Sequence, residues 1–213
     1  MSSNWVVHKF GGSSLADAGC FRRVAEIVRA QHEGMQAVVL SACRGVTDAL
    51  YEILNLAERQ DTSPEPRLTE VRDRLIGIAQ EVLKPGAAAA YIAEIKSDCR
   101  EILGILQTVR LIRSAGRNIR DLVAGYGEIW STRLFAALLR DSRPDGVAWL
   151  DARQVLIVQW GPLGPAVQWE ESRRRLNEKL PELEGKTVVI TGFIATDTQG
   201  LQTILGRNGS DYS

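Results

Sequence analysis

Residues 4–42 limit the possible fold more than any other stretch of this chain. The apolar run from Trp5 to Phe10 leads without a spacer into Gly11, Gly12, Ser13 and Ser14. After Asp17, the residues Phe21, Val24, Ile27 and Val28 recur at helical spacing, which predicts a helix to about residue 32. MQAVVLSA (Met35 to Ala42) is then apolar without alternation, the pattern of a strand buried on both faces. Strand, glycine turn, helix, strand is a βαβ unit. Its two parallel strands place their turns on one edge of a sheet, where ligands of such folds bind.

The rest of the chain continues in kind. Helices are expected over 47–58, from 68 to 82, over 88–112 and over 118–139. In the third of these, Ile92, Ile95, Cys99, Ile102, Leu103, Leu106 and Val109 share one face. RQDTSPEPR (Arg59 to Arg67) is a polar loop, and Pro85 with Gly86 is expected to break the chain. GVAWLDAR (Gly146 to Arg153) reads as a strand and turn, and WEESRRRLNEKL (Trp169 to Leu180) as a surface helix. KTVVITGFI (Lys186 to Ile194) reads as a third buried strand and LQTIL (Leu201 to Leu205) as a short fourth. The class is α/β with a mainly parallel sheet.

Composition excludes several functions. The chain of 213 residues carries 26 Lys and Arg against 26 Asp and Glu, so nothing electrostatic calls for nucleic acid or an anionic membrane. Cys20, Cys43 and Cys99 are too scattered for a metal knuckle or a redox pair, and suit reduced thiols in the cytoplasm. The opening residues lack the pattern of a secretory signal, and no apolar run approaches the roughly 18 residues of a membrane span.

Four stretches could carry chemistry. In HKFGGSS, Lys9 stands at a strand end before glycines whose amides can approach an anion, although the Walker pattern is absent. In LSACRGVTD, Ser41 and Thr47 flank a strand-to-helix turn, where Thr47 could equally be a helix cap. In AGYGEIWS, Glu128 could take an amino group or merely favour a helix start. In ITGFIATDTQG and TILGRNGSD, Phe193 could wall a small pocket, Arg207 could grip a carboxylate, Gly206 and Gly209 would allow close backbone approach, and Asp211 could orient the lysine. The Asn-Gly pair is also a common hairpin turn.

KFGGSS, VVLSACRGVTD, GYGEIWS, WLDAR, ITGFIA and TILGRNGSDYS, in that order, resemble the aspartokinases of the amino acid kinase family. Asn208 departs from the family's G-R-G-G-S-D pattern. The resemblance runs from Val6 to Ser213. It implies a three-layer α/β/α sandwich and phosphoryl transfer from ATP, with Mg²⁺ bound through it, to the side-chain carboxylate of L-aspartate. It gives Lys9 and Asp211 catalytic roles, and sets Lys9, Gly11, Gly12, Ser13 and Ser41 at the phosphates. It places Ser41, Thr47, Glu128, Phe193, Arg207, Gly209 and Ser210 around the amino acid, with Glu128 reading the α-ammonium. A cytoplasmic homo-oligomer is implied as well. Phosphoryl transfer onto a carboxylate needs positioning and cations rather than a strong base, so neither histidine is required.

The family's catalytic domain continues beyond GSDYS and is followed by ACT regulatory domains. Residues 1–213 are therefore expected to be its amino-acid-binding part, without the rest of the nucleotide site and inactive alone. Two other readings remain: a kinase acting on glutamate or acetylglutamate, which KFGGSS with GRNGSDYS argues against, and a non-catalytic binding module of the same fold.

Overall fold

A computed structural model describes residues 5–31, 34–60 and 62–206. Strand β1 (Trp5–Phe10) is followed by a 3-10 turn (Gly12–Leu15), helix α1 (Ala18–Ala30) and strand β2 (Met35–Leu40). Four helices come next: α2 (Val46–Arg59), α3 (Glu65–Val82), α4 (Pro85–Ile112) and α5 (Arg117–Arg140). β3 (Val147–Leu150), β4 (Ile157–Gly161), β5 (Gly164–Val167), α6 (Trp169–Leu183), β6 (Thr187–Thr191), β7 (Ile194–Asp197) and β8 (Gln202–Ile204) complete the described chain.

Local chemistry sets the helix starts. Asp17 caps α1 by accepting a hydrogen bond from the Cys20 amide at 2.8 Å. α2 starts from Gly45, at φ 77°, which places Thr47 inside the first turn rather than at the cap. Pro85 begins α4 instead of breaking the chain. Its missing N–H is no loss in the first turn, where amides have no intrahelical acceptor.

β1, β2, β6 and β3 form an all-parallel sheet in the order β1-β2-β6-β3. A second, mixed sheet runs β5-β4-β7-β8, with β4 parallel to β7 and the other pairs antiparallel. The expected single strand over 186–194 is thus two strands in different sheets. They part at Gly192–Phe193, where Phe193 adopts φ 63° and cannot continue a pleat. The β4–β5 hairpin was absent from the sequence reading.

The parallel sheet is covered on both faces, giving three layers. Val38, Leu40 and Val189 point into the main core with Phe21, Leu50, Trp130 and Phe135 from α1, α2 and α5. On the other face Val188 and Leu150 meet Leu183 of α6. Cover there is thin, and Val7 remains 63% exposed. Among the described residues no helix is long and apolar enough to cross a membrane.

Candidate active site

The carboxyl ends of β1, β2 and β6 converge. The Ser41 amide donates to the Phe10 carbonyl at 3.1 Å, the Arg44 amide to the Gly12 carbonyl at 3.0 Å, and the Gly192 amide to the Leu40 carbonyl at 2.8 Å. These bonds weave the three turns into one surface. Two glycines make the weave possible. A Cβ on Gly12 would lie 2.8 Å from the Ala42 carbonyl oxygen, and one on Gly192 would lie 3.0 Å from that of Leu40. Gly11 and Gly12 open a 3-10 turn, and α1 has its own cap at Asp17. The segment directly after the glycines is therefore a four-residue turn without a side-chain cap, not the start of a long helix with its dipole.

Lys9 is the penultimate residue of β1, in register with Val39. Strand alternation puts it on the opposite side from His8, whose ring stacks on Phe10. Ser13 lies on the 3-10 turn beside it.

Glu128 is mid-helix in α5, not near a helix start as its sequence context had suggested. It is only 3% exposed. Its Oε1 accepts the Ala42 amide at 3.2 Å, while Oε2 is buried with no hydrogen-bond partner. Burial pushes its carboxyl up to about 8, and the Ala42 amide only partly opposes this. A buried acid with a spare oxygen suits a cationic ligand group. Gly127 brings the helix in: a Cβ there would lie 2.7 Å from the Ala42 Cβ and 3.7 Å from the Thr47 hydroxyl oxygen. Glu128, Ala42 and Thr47 are thus neighbours.

Ser41 follows β2 directly, and its carbonyl accepts the Ser131 hydroxyl at 2.8 Å. Phe193 is half-buried on the β6–β7 turn, and its carbonyl accepts the Leu205 amide at 2.8 Å. Of the remaining predicted residues, Arg207, Gly209, Ser210 and Asp211 lie outside the described residues. The chain reaches Gly206 at φ 86°.

Sequence reasoning missed Ser131 and Thr132, both fully buried. Thr132 donates to the Glu128 carbonyl at 2.6 Å and accepts the Trp149 indole at 2.9 Å, which ties Glu128's turn of helix to β3. Their signal was positional: they stand three and four residues after Glu128, on the same helix face. Cys43 is no nucleophile, because burial pushes its thiol up to about 12. Among the described residues no three His, Cys, Asp or Glu side chains are grouped to hold a metal ion.

The chain matches the amino acid kinase family over residues 4–213. It belongs to that family. Among its relatives is the chloroplastic bifunctional aspartokinase/homoserine dehydrogenase 1 of Arabidopsis thaliana, 32% identical over 99% of this chain and 23% of the relative. Lysine-sensitive aspartokinase 3 of Escherichia coli is 32% identical over 99% of this chain and 45% of that protein. The crystal structure of E. coli aspartokinase III in complex with aspartate and ADP superposes with a TM-score of 0.84 at 28% identity, covering 98% of this chain and 45% of that one. This amino acid kinase chain therefore spans less than half the length of these relatives, and within it the similarity is to the aspartokinase part.

Proposed function

We propose that the chain is the amino-acid-binding part of an aspartokinase, which transfers the terminal phosphoryl group of ATP to the side-chain carboxylate of L-aspartate. The observation that carries this reading is Glu128. A carboxyl group sealed in an apolar helix contact, with one oxygen unpartnered, is costly unless a cation completes it. The α-ammonium of an amino acid is such a cation. Glu128 stands at the carboxyl ends of the parallel strands, next to Ser41, Ala42 and Thr47. The similarity to aspartokinases supports the choice of aspartate.

In this reading the labour divides among the residues that match the aspartokinase pattern. Glu128 binds the ammonium and fixes one end of the substrate. Ser41 and Thr47 line the turn between, and Phe193 closes the side. Arg207, with Gly209 and Ser210, clamps a carboxylate. Lys9 neutralises charge that develops as the phosphoryl group moves between oxygens, and Asp211 orients it. The backbone amides of Gly11, Gly12 and Ser13 meet the ATP phosphates. Reaction needs no base, because the attacking group is already a carboxylate. Mg²⁺ would arrive on the nucleotide and supply further charge neutralisation. The remaining nucleotide contacts would come from sequence beyond these 213 residues, as the longer relatives suggest.

The test is calorimetric titration of the chain with L-aspartate and with succinate, which lacks the amino group. Saturable binding of aspartate, weak binding of succinate, and loss of the difference in Glu128→Gln are expected. Equal binding of both acids by a folded wild-type chain would remove the ammonium assignment.

A further inference from the structure

Helix α5 holds one peptide group of the β2–α2 turn at both ends. β2 stops at Leu40, and the Ser41 amide still bonds to β1 through the Phe10 carbonyl at 3.1 Å. The next peptide group, between Ser41 and Ala42, leaves the ladder. Its carbonyl accepts the Ser131 hydroxyl at 2.8 Å, and its N–H donates to Glu128 Oε1 at 3.2 Å. The C=O and N–H of a trans peptide point in opposite directions. Glu128 and Ser131 stand three residues apart on one helix face, so the peptide lies along that turn of α5, hooked at each end.

The two hooks differ in strength. The Ser131 bond has the usual length of a hydroxyl–carbonyl bond, whereas the Ala42 bond sits at the long limit for an amide donor. The hydroxyl, more than the carboxylate, therefore fixes the tilt of the peptide. Ser131 has one proton to give. Its Oγ also lies 3.1 Å from the Glu128 carbonyl, but that carbonyl already accepts the Thr132 hydroxyl at 2.6 Å. The Ser131 proton thus goes to Ser41. Ser131 is fully buried, where a hydroxyl without its acceptor is costly, so this bond is a lasting one.

We propose that Ser131 is a positioning residue for the substrate: it holds the Ser41–Ala42 peptide so that the Ala42 amide occupies Oε1 of Glu128, and leaves Oε2 as the oxygen that meets the ammonium. The inference rests on the ammonium reading of Glu128 above. A carboxylate has two equivalent oxygens, and the torsion that turns it is soft. With one oxygen tied, the other has a fixed place. With neither tied, the group swings and its contact with the ammonium loses its direction. A hydrogen bond between charged groups is strong only while its geometry holds, so that loss falls on the ligand. Ser131 acts through Glu128 and touches no part of the ligand itself.

The experiment is calorimetric titration of the 213-residue chain, wild type and Ser131→Ala, with L-aspartate and with succinate. The ratio of the two affinities reads the share of the ammonium. Ser131→Ala is expected to weaken aspartate about five- to tenfold, the range of one hydrogen bond, and to leave succinate within about twofold. Proton release separates positioning from packing. At pH 8 Glu128 is about half ionised in the free wild-type chain, so aspartate displaces about half a proton. The Ala42 amide favours the ionised form, so its loss raises the carboxyl further and brings the variant closer to one proton. Cys43 stays protonated there, because burial pushes its thiol up to about 12. A merely structural role would weaken both ligands alike and leave the proton number unmoved. An unchanged ratio or an unchanged proton number, with aspartate still bound, therefore overturns the inference and leaves the ammonium reading standing. If Ser131→Ala does not fold, Ser131→Cys, which keeps only a weak donor, is held to the same criterion. Equal binding of both acids by the folded wild-type chain overturns the ammonium reading and this inference with it.

Discussion

Glu128 should make this protein less stable as pH rises, and Glu128→Gln should remove that dependence. The carboxyl is held near 8 in the folded chain, against 4.5 for an ordinary glutamate. Between those values the folded protein keeps a proton that the unfolded chain has lost. Unfolding then releases a proton, and stability falls by about 1.4 kcal/mol per pH unit. The effect is absent below pH 4.5, where both states are protonated, and complete above about 8, where both are ionised. Across the whole window the loss is roughly 5 kcal/mol, and at pH 7 it is already about 3 kcal/mol, against a total stability of about 5–15 kcal/mol for a typical domain. Glutamine has the same shape and can still accept the Ala42 amide, but it cannot ionise. Its NH₂ replaces the unpartnered oxygen and adds a cost of about 1–3 kcal/mol that does not vary with pH. The slope, not the offset, is therefore the observable. Urea unfolding of both proteins at half-unit steps from pH 5 to 8.5 should show the variant gaining on wild type by several kcal/mol. Parallel curves over that range would refute the reasoning and mean that Glu128 ionises normally in the fold.

Ammonium binding requires the ionised acid, so L-aspartate should displace close to one proton at pH 7. Calorimetric enthalpies in two buffers of different ionisation heat give the number, and zero exchange would count against Glu128 as the acceptor. Gly12→Ala sets a Cβ 2.8 Å from a backbone carbonyl and should cost about 1–3 kcal/mol in urea unfolding. Gly125→Ala sets a Cβ in the seat of the Gln202 amide and should likewise cost about 1–3 kcal/mol in urea unfolding. Arg133→Ala leaves the buried Asp98 with only the Trp130 indole, and should cost about 2 kcal/mol at pH 8 and less at pH 4, where the acid, already held high by burial, takes up a proton.

The parallel sheet was legible because its strands carry their signal in a few neighbouring residues. MQAVVL and TVVIT are apolar throughout, as strands buried on both faces must be, and each ends at a turn rich in glycine or small residues. The β4–β5 hairpin was not legible, because Gly161, Pro162, Gly164 and Pro165 mask a strand pattern with turn chemistry. Pro165 is tolerated because β5 is an edge strand, a fact of topology rather than of local sequence. Pro85 misled in the opposite sense, since one residue type both stops helices and starts them. The site divided the same way. Gly127 and Glu128 stood out as a pair, yet the Ala42 and Val46 side chains that pack against Gly127 are remote in sequence, so the burial of this turn of α5 could not be read from it. Gln202 gave no signal at all. A glutamine in a short polar-flanked strand reads as solvent-facing, and a glycine in a helix reads as a weakness. Only the crossing of β8 over α5 makes each the reason for the other. Residues that touch a ligand can be named from motif, but residues that tie remote segments together become visible only when those segments are seen to share one hydrogen-bonding group.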